Sequence, residues 1–240
     1  MFLSNVSYEI RTPLTSVLGF AEGLQMGLAG PLSAKQREYV LDIRKSSEEL
    51  KNIIDAIIDL SAIDAGALEL NLEQIDVSTL LQSVAEKLSA AIERRDLTLN
   101  IEIAENVASF VADRQRIEQI MSNLLSNAMG FSKPGATIKM GARRAGATLQ
   151  VWVSDSGRGI EPEFQKQAFD RFQSRPVPGG HRGPGLGLAI VKSFVELHDG
   201  NVSLLSKINQ GTTVLCTFPV DGPRARDRLQ APPNDARKIA

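Results

Sequence analysis

The chain has 240 residues, of which 42% are hydrophobic, and its formal net charge is −1. This length allows one large domain or two small ones with a real core, while the balanced charge argues against binding to nucleic acid or to a membrane surface. The single cysteine, Cys216, excludes an intramolecular disulfide, and we interpret it as a small core residue in an alternating run.

The beginning of the chain lies within an amphipathic helical pattern. No apolar run approaches the roughly 18 residues that a membrane-spanning helix needs, and no signal peptide is visible. We therefore expect a cytoplasmic fragment of a longer protein, in which sensors or a membrane anchor would precede this part.

Two long helical patterns come first, and in both the apolar residues recur at alternating steps of three and four, as in a heptad seam. The seam positions are Leu3, Val6, Ile10, Pro13, Val17, Phe20 and Leu24 in the first helix, and Val40, Ile43, Ser47, Leu50, Ile54 and Ile57 in the second. A turn with two glycines and a proline joins the helices, and Ser33 is placed to cap the second one. Because a two-helix hairpin cannot bury both seams, we predict a homodimeric four-helix bundle. The alternative is that the hairpin packs on the rest of its own chain.

Alternating helices and strands follow the hairpin, after a predicted linker at 67–76 that contains a short strand. Helices are predicted at 77–94, 114–130 and 185–198, and strands at 97–103, 108–112, 136–144, 147–154, 201–206 and 212–218, with a loop-rich stretch before residue 184. This order predicts an α+β sandwich, in which a mixed sheet carries helices on one face. The predicted domains are residues 1–66 and 77–219, and the polar residues 220–240 are predicted to form a disordered tail.

A glycine-containing turn, DSGRGI at residues 155–160, follows the strand LQVWVSD. Asp155 at the end of that strand can accept a hydrogen bond from an exocyclic amine, and Gly157 and Gly159 allow the backbone to approach a planar base. Asp-Ser-Gly turns are also common without any ligand, so the signal is weak by itself.

A second glycine-rich segment, GPGLGLAIV at residues 183–191, leads into a predicted helix. Gly183, Gly185 and Gly187 precede the helix, and the free N–H groups and dipole of a helix N-terminus suit phosphate oxygens. The segment is neither a Walker loop nor a dinucleotide fingerprint.

The segment NLLSNAMGFS, residues 123–132, places Asn123 and Asn127 four residues apart and therefore on one helix face. Two amides on one face can hold a hydrated Mg²⁺ ion that bridges phosphates. An asparagine pair is otherwise most often part of a solvated face.

These three segments in this order resemble the core of bacterial sensor histidine kinases, over residues 2 to about 219. SYEIRTPLTSVLGF resembles their phosphoacceptor box, NLLSNAMGFS the N box, and DSGRGI, FDRF and GPGLGL the adenine, lid and phosphate boxes. The resemblance implies an α-helical hairpin that forms a dimeric four-helix bundle, followed by an α+β sandwich of the GHKL (Bergerat) ATPase type that binds ATP with Mg²⁺.

The resemblance also implies roles for individual residues. Asp155 would contact adenine, Asn123 and Asn127 would serve Mg²⁺, and the three glycines would hinge a lid at residues 170–184. The remaining residues implied at the nucleotide site are Gly157, Gly159, Phe172, Thr212 and Thr213, with Arg171, Arg175 and Arg182 as lid cations able to meet phosphates. A solvated lid face and ordinary strand threonines are the alternatives for the arginines and the threonines.

The phosphoacceptor box departs from the family pattern at one position, because Tyr8 stands where the family carries histidine. Its neighbours Glu9, Arg11, Thr12, Pro13 and Leu14 follow the pattern. Helix geometry turns Tyr8 away from the seam, on one face with Thr12, Thr15 and Gly19. We interpret this face as a docking surface for a response-regulator receiver domain, the alternative being an ordinary exposed tyrosine.

The matching neighbours of Tyr8 do not imply that it carries out the phosphoryl transfer of the family. A tyrosine hydroxyl has an unperturbed pKa of about 10, so near neutral pH it is a much weaker nucleophile than imidazole. Glu9, the candidate general base, would act on a weak acid, and a phosphotyrosine ester is a poor donor to aspartate. Gly130 stands where the family usually has a lysine or arginine near the phosphates, which removes a cation that stabilises the transferred group.

A tyrosine in this box resembles a homologue within the family that acts in bacterial cell-cycle control. The resemblance implies a dimer that contacts a receiver domain and modulates a partner sensor kinase. The alternative is an active kinase that autophosphorylates Tyr8. A GHKL ATPase outside signalling is disfavoured by the segment EIRTPL in the hairpin.

Overall fold

The computed structural model describes residues 2–173 and 184–223, with the backbone alone described for residues 2–8. The chain opens with an α-helical hairpin made of α1 (Phe2–Gln25) and α2 (Ala34–Asp64). The predicted cap at Ser33 is confirmed as a capping box, in which Ser33 Oγ accepts from the Gln36 N–H and Gln36 Oε1 accepts from the Ser33 N–H.

The hairpin buries a different stripe of α1 from the predicted seam. Leu14 and Ala21 are buried, whereas Ile10, Val17 and Phe20 remain 40%, 41% and 75% exposed. The two stripes are adjacent on the helix, because residues four apart are offset by about 40°. Ile10, Val17 and Phe20 of the predicted α1 seam are therefore left exposed within a single chain, whereas Val40 and Ser47 of the predicted α2 seam are buried.

The second half of the chain contains every predicted strand and helix, with ends shifted by at most two residues. The elements are β1 (Leu72–Asp76), α3 (Val77–Arg94), β2 (Thr98–Ile103), β3 (Ser109–Asp113), α4 (Arg114–Phe131), β4 (Thr137–Ala145), β5 (Thr148–Asp155), α5 (Pro162–Gln165), α6 (Gly187–Leu197), β6 (Asn201–Lys207) and β7 (Gly211–Pro219). The short helix α5 was not predicted, because a four-residue helix shows no periodicity.

A mixed five-stranded sheet, in the order β2-β4-β5-β7-β6, supports helices α3, α4 and α6. β2 pairs with β4 in parallel and the other neighbours are antiparallel. Burial alternates along β5 and β7, as expected for a sheet with one covered face. Cys216 is a fully buried core residue, and burial raises the pKa of its thiol to about 12.

Both predicted boundaries of the second domain differ from the structure. β1 pairs with β3, so the strand assigned to the linker belongs to the folded domain. At the other end, the Val111 N–H donates to the Val220 carbonyl and the Val220 N–H donates to the Ala147 carbonyl. The first residues of the predicted tail are therefore fixed by backbone hydrogen bonds, and residues 224–240 lie outside the described residues.

The C-terminal third of α2 packs on the second domain. Ala56 and Leu60 are 5% and 3% exposed and join the hydrophobic core of that domain. Asp59 accepts hydrogen bonds at 3.0 Å from Arg116 and at 3.0 Å from Gln119 of α4. Within the described residues, the hairpin thus packs on the second domain through this end of α2. In the described ranges, no helix has the length and apolar character needed to span a bilayer.

Candidate functional site

Asn123 and Asn127 project from α4 towards the first residue of α6. A β-carbon on Gly187 would lie 3.8 Å from Oδ1 of Asn123 and 3.7 Å from Nδ2 of Asn127. Within residues 2–173 and 184–223, neither amide has a hydrogen-bond partner, and both residues are half-buried. The structure therefore brings the predicted metal-binding pair, Asn123 and Asn127, close to Gly187 at the start of α6. We call these three residues the amide cradle.

Asp155 ends β5, opposite Thr212 of β7. Its Oδ1 accepts a hydrogen bond from the Gly157 N–H at 2.8 Å. Burial raises the pKa of the carboxyl, and backbone hydrogen bonds from Gly157 and Thr212 oppose that rise. The result is a partly desolvated carboxylate held in a fixed orientation, which suits the recognition of a hydrogen-bond donor.

The glycines of the DSGRGI turn are required by contacts within the protein. A β-carbon on Gly157 would lie 2.4 Å from the Phe131 carbonyl oxygen, and one on Gly159, whose φ is +68°, would lie 2.1 Å from the Lys207 carbonyl oxygen. Gly211, which was not predicted, is equally constrained because its β-carbon would lie 1.9 Å from the Asp155 carbonyl oxygen. Its place in the turn between β6 and β7 was the only signal in the sequence.

The two predicted threonines lie at the start of β7 with their hydroxyls already engaged. Thr213 Oγ1 and Ser154 Oγ are 2.8 Å apart, and Thr212 Oγ1 and Ser206 Oγ are 2.8 Å apart. The first contact joins the end of β5, which carries Asp155, to β7, and the second joins β7 to β6.

The two ends of the predicted lid meet at Phe172 and Gly185. Both adopt left-handed φ angles, +63° for Phe172 and +73° for Gly185. A β-carbon on Gly185 would lie 2.7 Å from the carbonyl carbon of Phe172, so the glycine is obligatory at this crossing. Gly183, Arg175 and Arg182 lie outside the described residues.

Arg171 is not directed at the amide cradle, contrary to its expected role as a phosphate contact. Its guanidinium donates to both carboxylate oxygens of Asp64, at 2.7 Å each. This pairing lowers the pKa of Asp64 and raises that of Arg171. The arginine instead joins the segment after α5 to the helical hairpin.

The phosphoacceptor-like box lies on α1, and the side chain of Tyr8 is outside the described residues. Glu9, Thr12 and Thr15 are exposed, whereas Arg11 donates to Asp55 of α2 at 2.7 Å. The phosphoacceptor-like box therefore has an exposed face, and its Arg11 joins α1 to α2 through Asp55.

Gly130 lies one turn after Asn127 on α4 and is exposed, with open space where a β-carbon would stand. The structure would thus accommodate the cation that the family usually carries there.

The donor set fits a metal ion that keeps most of its own ligands. Across the part of the chain that the structure describes, no three His, Cys, Asp or Glu residues cluster as a metal site. Two amide oxygens suit Mg²⁺ when phosphate oxygens and water complete its coordination.

Two family descriptions match the chain. Residues 1–66 match the His Kinase A (phospho-acceptor) domain, and residues 112–222 match the Histidine kinase-, DNA gyrase B-, and HSP90-like ATPase. Both halves of the predicted fold are therefore confirmed.

Curated relatives include a sensor protein and a histidine protein kinase. Sensor protein DivL of Caulobacter vibrioides is 39% identical over 91% of this chain and 28% of its own length; it is the homologue that the tyrosine suggested. Histidine protein kinase DivJ of the same organism is 32% identical over 91% of this chain and 37% of its length. The chain thus spans less than half of these relatives.

Solved structures agree with the fold. Full-length ShkA in complex with AMPPNP is 28% identical with a TM-score of 0.76, covering 92% of this chain and 46% of ShkA. The Acinetobacter baumannii histidine kinase AdeS, at 21% identity and a TM-score of 0.64, covers 89% of this chain and 98% of its own and supports the fold alone.

Proposed function

The chain belongs to the sensor histidine kinase family of two-component signalling proteins, and from this premise we propose that it is a dimeric platform that binds a receiver domain and does not relay phosphate. The observation that carries this proposal is Tyr8, which replaces the phosphoacceptor histidine while its neighbours Glu9, Arg11 and Thr12 keep the family pattern. The exposure of Glu9, Thr12 and Thr15 on α1 supports a docking face around it.

Dimerisation follows from the apolar residues that the hairpin leaves uncovered. Phe20 is 75% exposed, and Ile43 and Leu50 of α2 are 48% and 46% exposed. Burying such side chains against a second copy contributes about 25 cal/mol per Å² of apolar area. The match of residues 1–66 to the His Kinase A domain also supports a four-helix bundle of two hairpins.

The second domain is proposed to bind ATP with Mg²⁺. Asp155 is oriented to accept a hydrogen bond from the exocyclic amine of adenine, and the oxygens of Asn123 and Asn127 would ligate the metal. The metal would supply charge neutralisation for the phosphates when bound. The AMPPNP complex of ShkA is consistent with a nucleotide site in this fold.

Binding is better supported than transfer. Phosphoryl transfer needs a positioned nucleophile and cations that stabilise the equatorial oxygens. The tyrosine hydroxyl has an unperturbed pKa of about 10, and the position of the usual cation is occupied by Gly130. Nucleotide binding would therefore act as a conformational input, or the domain would act as a scaffold.

The biological setting is proposed from the relatives. DivL and DivJ are both regulators from Caulobacter vibrioides, and a role in bacterial cell-cycle signalling at the cytoplasmic side is the corresponding proposal. The platform would modulate a partner sensor kinase through the receiver that it binds.

The assembled amide cradle favours one second candidate, an active kinase that phosphorylates Tyr8. A calorimetric titration with ATP, with and without Mg²⁺, first tests whether the site works. The platform is then tested with a purified response-regulator receiver domain. Charge reversal at Glu9 or a bulky residue at Thr15 is expected to weaken binding without dissociating the dimer, and unchanged binding would place the contact elsewhere.

A further inference from the structure

The ion pair between Asp64 and Arg171 joins the two halves of the chain. Asp64 is the last residue of α2, and Arg171 follows α5 in the second domain. The two terminal nitrogens of the Arg171 guanidinium each lie 2.7 Å from one carboxylate oxygen of Asp64. Among the cationic side chains, only arginine provides this planar bidentate arrangement. This geometry fixes the position of Arg171 as well as its charge.

Phe172, the residue after Arg171, lies where the backbone passes close to Gly185. We call this close approach the crossing. Phe172 has a φ of +63°, a conformation disfavoured for a residue with a β-carbon, which persists when its surroundings hold it. The bidentate pair holds the preceding residue, and the backbone of Gly185 lies close to Phe172, since an added β-carbon on Gly185 would be 2.7 Å from the Phe172 carbonyl carbon. Movement of Phe172 would therefore displace Gly185.

The crossing lies next to the amide cradle in sequence and in space. Gly185 is two residues before Gly187, whose β-carbon position is 3.7 Å from Nδ2 of Asn127 and 3.8 Å from Oδ1 of Asn123. We infer that Asp64, a residue of the helical hairpin, is a positioning residue for the nucleotide site, because it holds Arg171 and thereby fixes Phe172 against Gly185, two residues before Gly187. This inference rests on the nucleotide binding proposed above.

Contacts with the second domain hold the end of α2 in place. Asp59, about one turn before Asp64, is bound by Arg116 and Gln119 of α4. Leu60 is 3% exposed within the core of the second domain. Because coupling between sites is reciprocal, nucleotide binding would in turn strengthen the attachment of the second domain to α2.

Calorimetric titration of the full chain with ATP and Mg²⁺ tests the inference. Asp64→Asn and Arg171→Gln are each expected to lower the affinity about two- to fivefold, the range for an exposed but well-aligned ion pair. The double variant is expected to be no weaker than either single variant, because both remove the same interaction. Asp64→Arg combined with Arg171→Asp should recover part of the loss.

A matched control and a salt series separate positioning from a general structural effect. Glu196→Gln removes a carboxylate that lines the same cleft near Arg171, where its partner Lys192 is 4.0 Å away, and it should leave the affinity unchanged. The difference in ATP affinity between wild type and Asp64→Asn should shrink between about 0.1 and 1 M salt, because the Debye screening length falls from about 10 to 3 Å.

The outcomes distinguish this inference from the function on which it rests. Absence of nucleotide binding by the wild-type chain would overturn the proposed nucleotide site and this inference with it, and the receiver-binding platform would keep its separate test. Wild-type binding with an equal or higher affinity for Asp64→Asn, or with an equal loss in Glu196→Gln, would overturn the positioning role and leave the proposed function standing.

Discussion

Gly187 and Asn127 approach so closely that a β-carbon on the glycine would lie 3.7 Å from the asparagine Nδ2. That separation is an ordinary van der Waals contact, so an alanine fits the fold, but its methyl group would occupy the space between the helix N-terminus and the amides. We therefore expect the glycine at position 187 to be required for ligand binding but not for folding.

Gly187→Ala is therefore expected to weaken ATP binding about tenfold or more while the free energy of unfolding stays equal or rises by up to about 1 kcal/mol, since alanine favours a helix over glycine. Calorimetry and denaturant unfolding measure the two quantities. Gly19→Ala, at an open helical position, is the control. A loss of stability with unchanged affinity would contradict this view of the cradle.

Gly130→Lys restores the family's cation at an exposed helical position with open space. In a Tyr8→His background it should increase autophosphorylation severalfold over Tyr8→His alone, because the cation stabilises the transferred phosphoryl group. Acid-labile label from γ-labelled ATP is the readout, with Gly130→Gln as the uncharged control. Equal labelling of the lysine and glutamine variants would show that the missing charge does not limit transfer.

Phe20→Asp is expected to convert the proposed dimer to a monomer, because it places a charge in the exposed apolar stripe of α1. Sedimentation velocity measures the change in mass. Leu205→Asp, a similarly exposed apolar residue on β6 at 70% exposure, should leave the dimer intact. A Phe20→Asp dimer of unchanged affinity would place the interface on another surface.

Acidification is expected to weaken nucleotide binding through Asp155. Burial raises the pKa of this carboxyl in the folded chain, and the protonated acid accepts a hydrogen bond less well than the carboxylate. Affinity should thus be full above the raised pKa and fall as the pH drops through it, at a pH above the ordinary 3.8. The sign for stability is opposite, because the folded state binds more protons in that window and loses stability as pH rises through it. Asp155→Asn should lack this limb of the binding profile, and an identical profile would exclude the assignment.

Periodicity and turn residues are local signals, and they were sufficient to predict every strand and helix of the second half except the short helix α5. Asn123, Asn127 and Gly187 come together because α4 and α6 pack side by side on the sheet. The pair of Asp64 and Arg171 could not be predicted, since it joins residues 107 positions apart across two domains. The stripe that the hairpin buries was also missed, because two adjacent apolar stripes of one helix give similar heptad patterns.

The role of Tyr8 is tested most directly by incubating the dimer with γ-labelled ATP, Mg²⁺ and a purified receiver domain, and following the label on both proteins. We expect the chain to bind ATP and the receiver but to pass no label to the receiver aspartate, with no alkali-stable label above that of Tyr8→Phe. Tyr8-dependent label that moves to the receiver would contradict it.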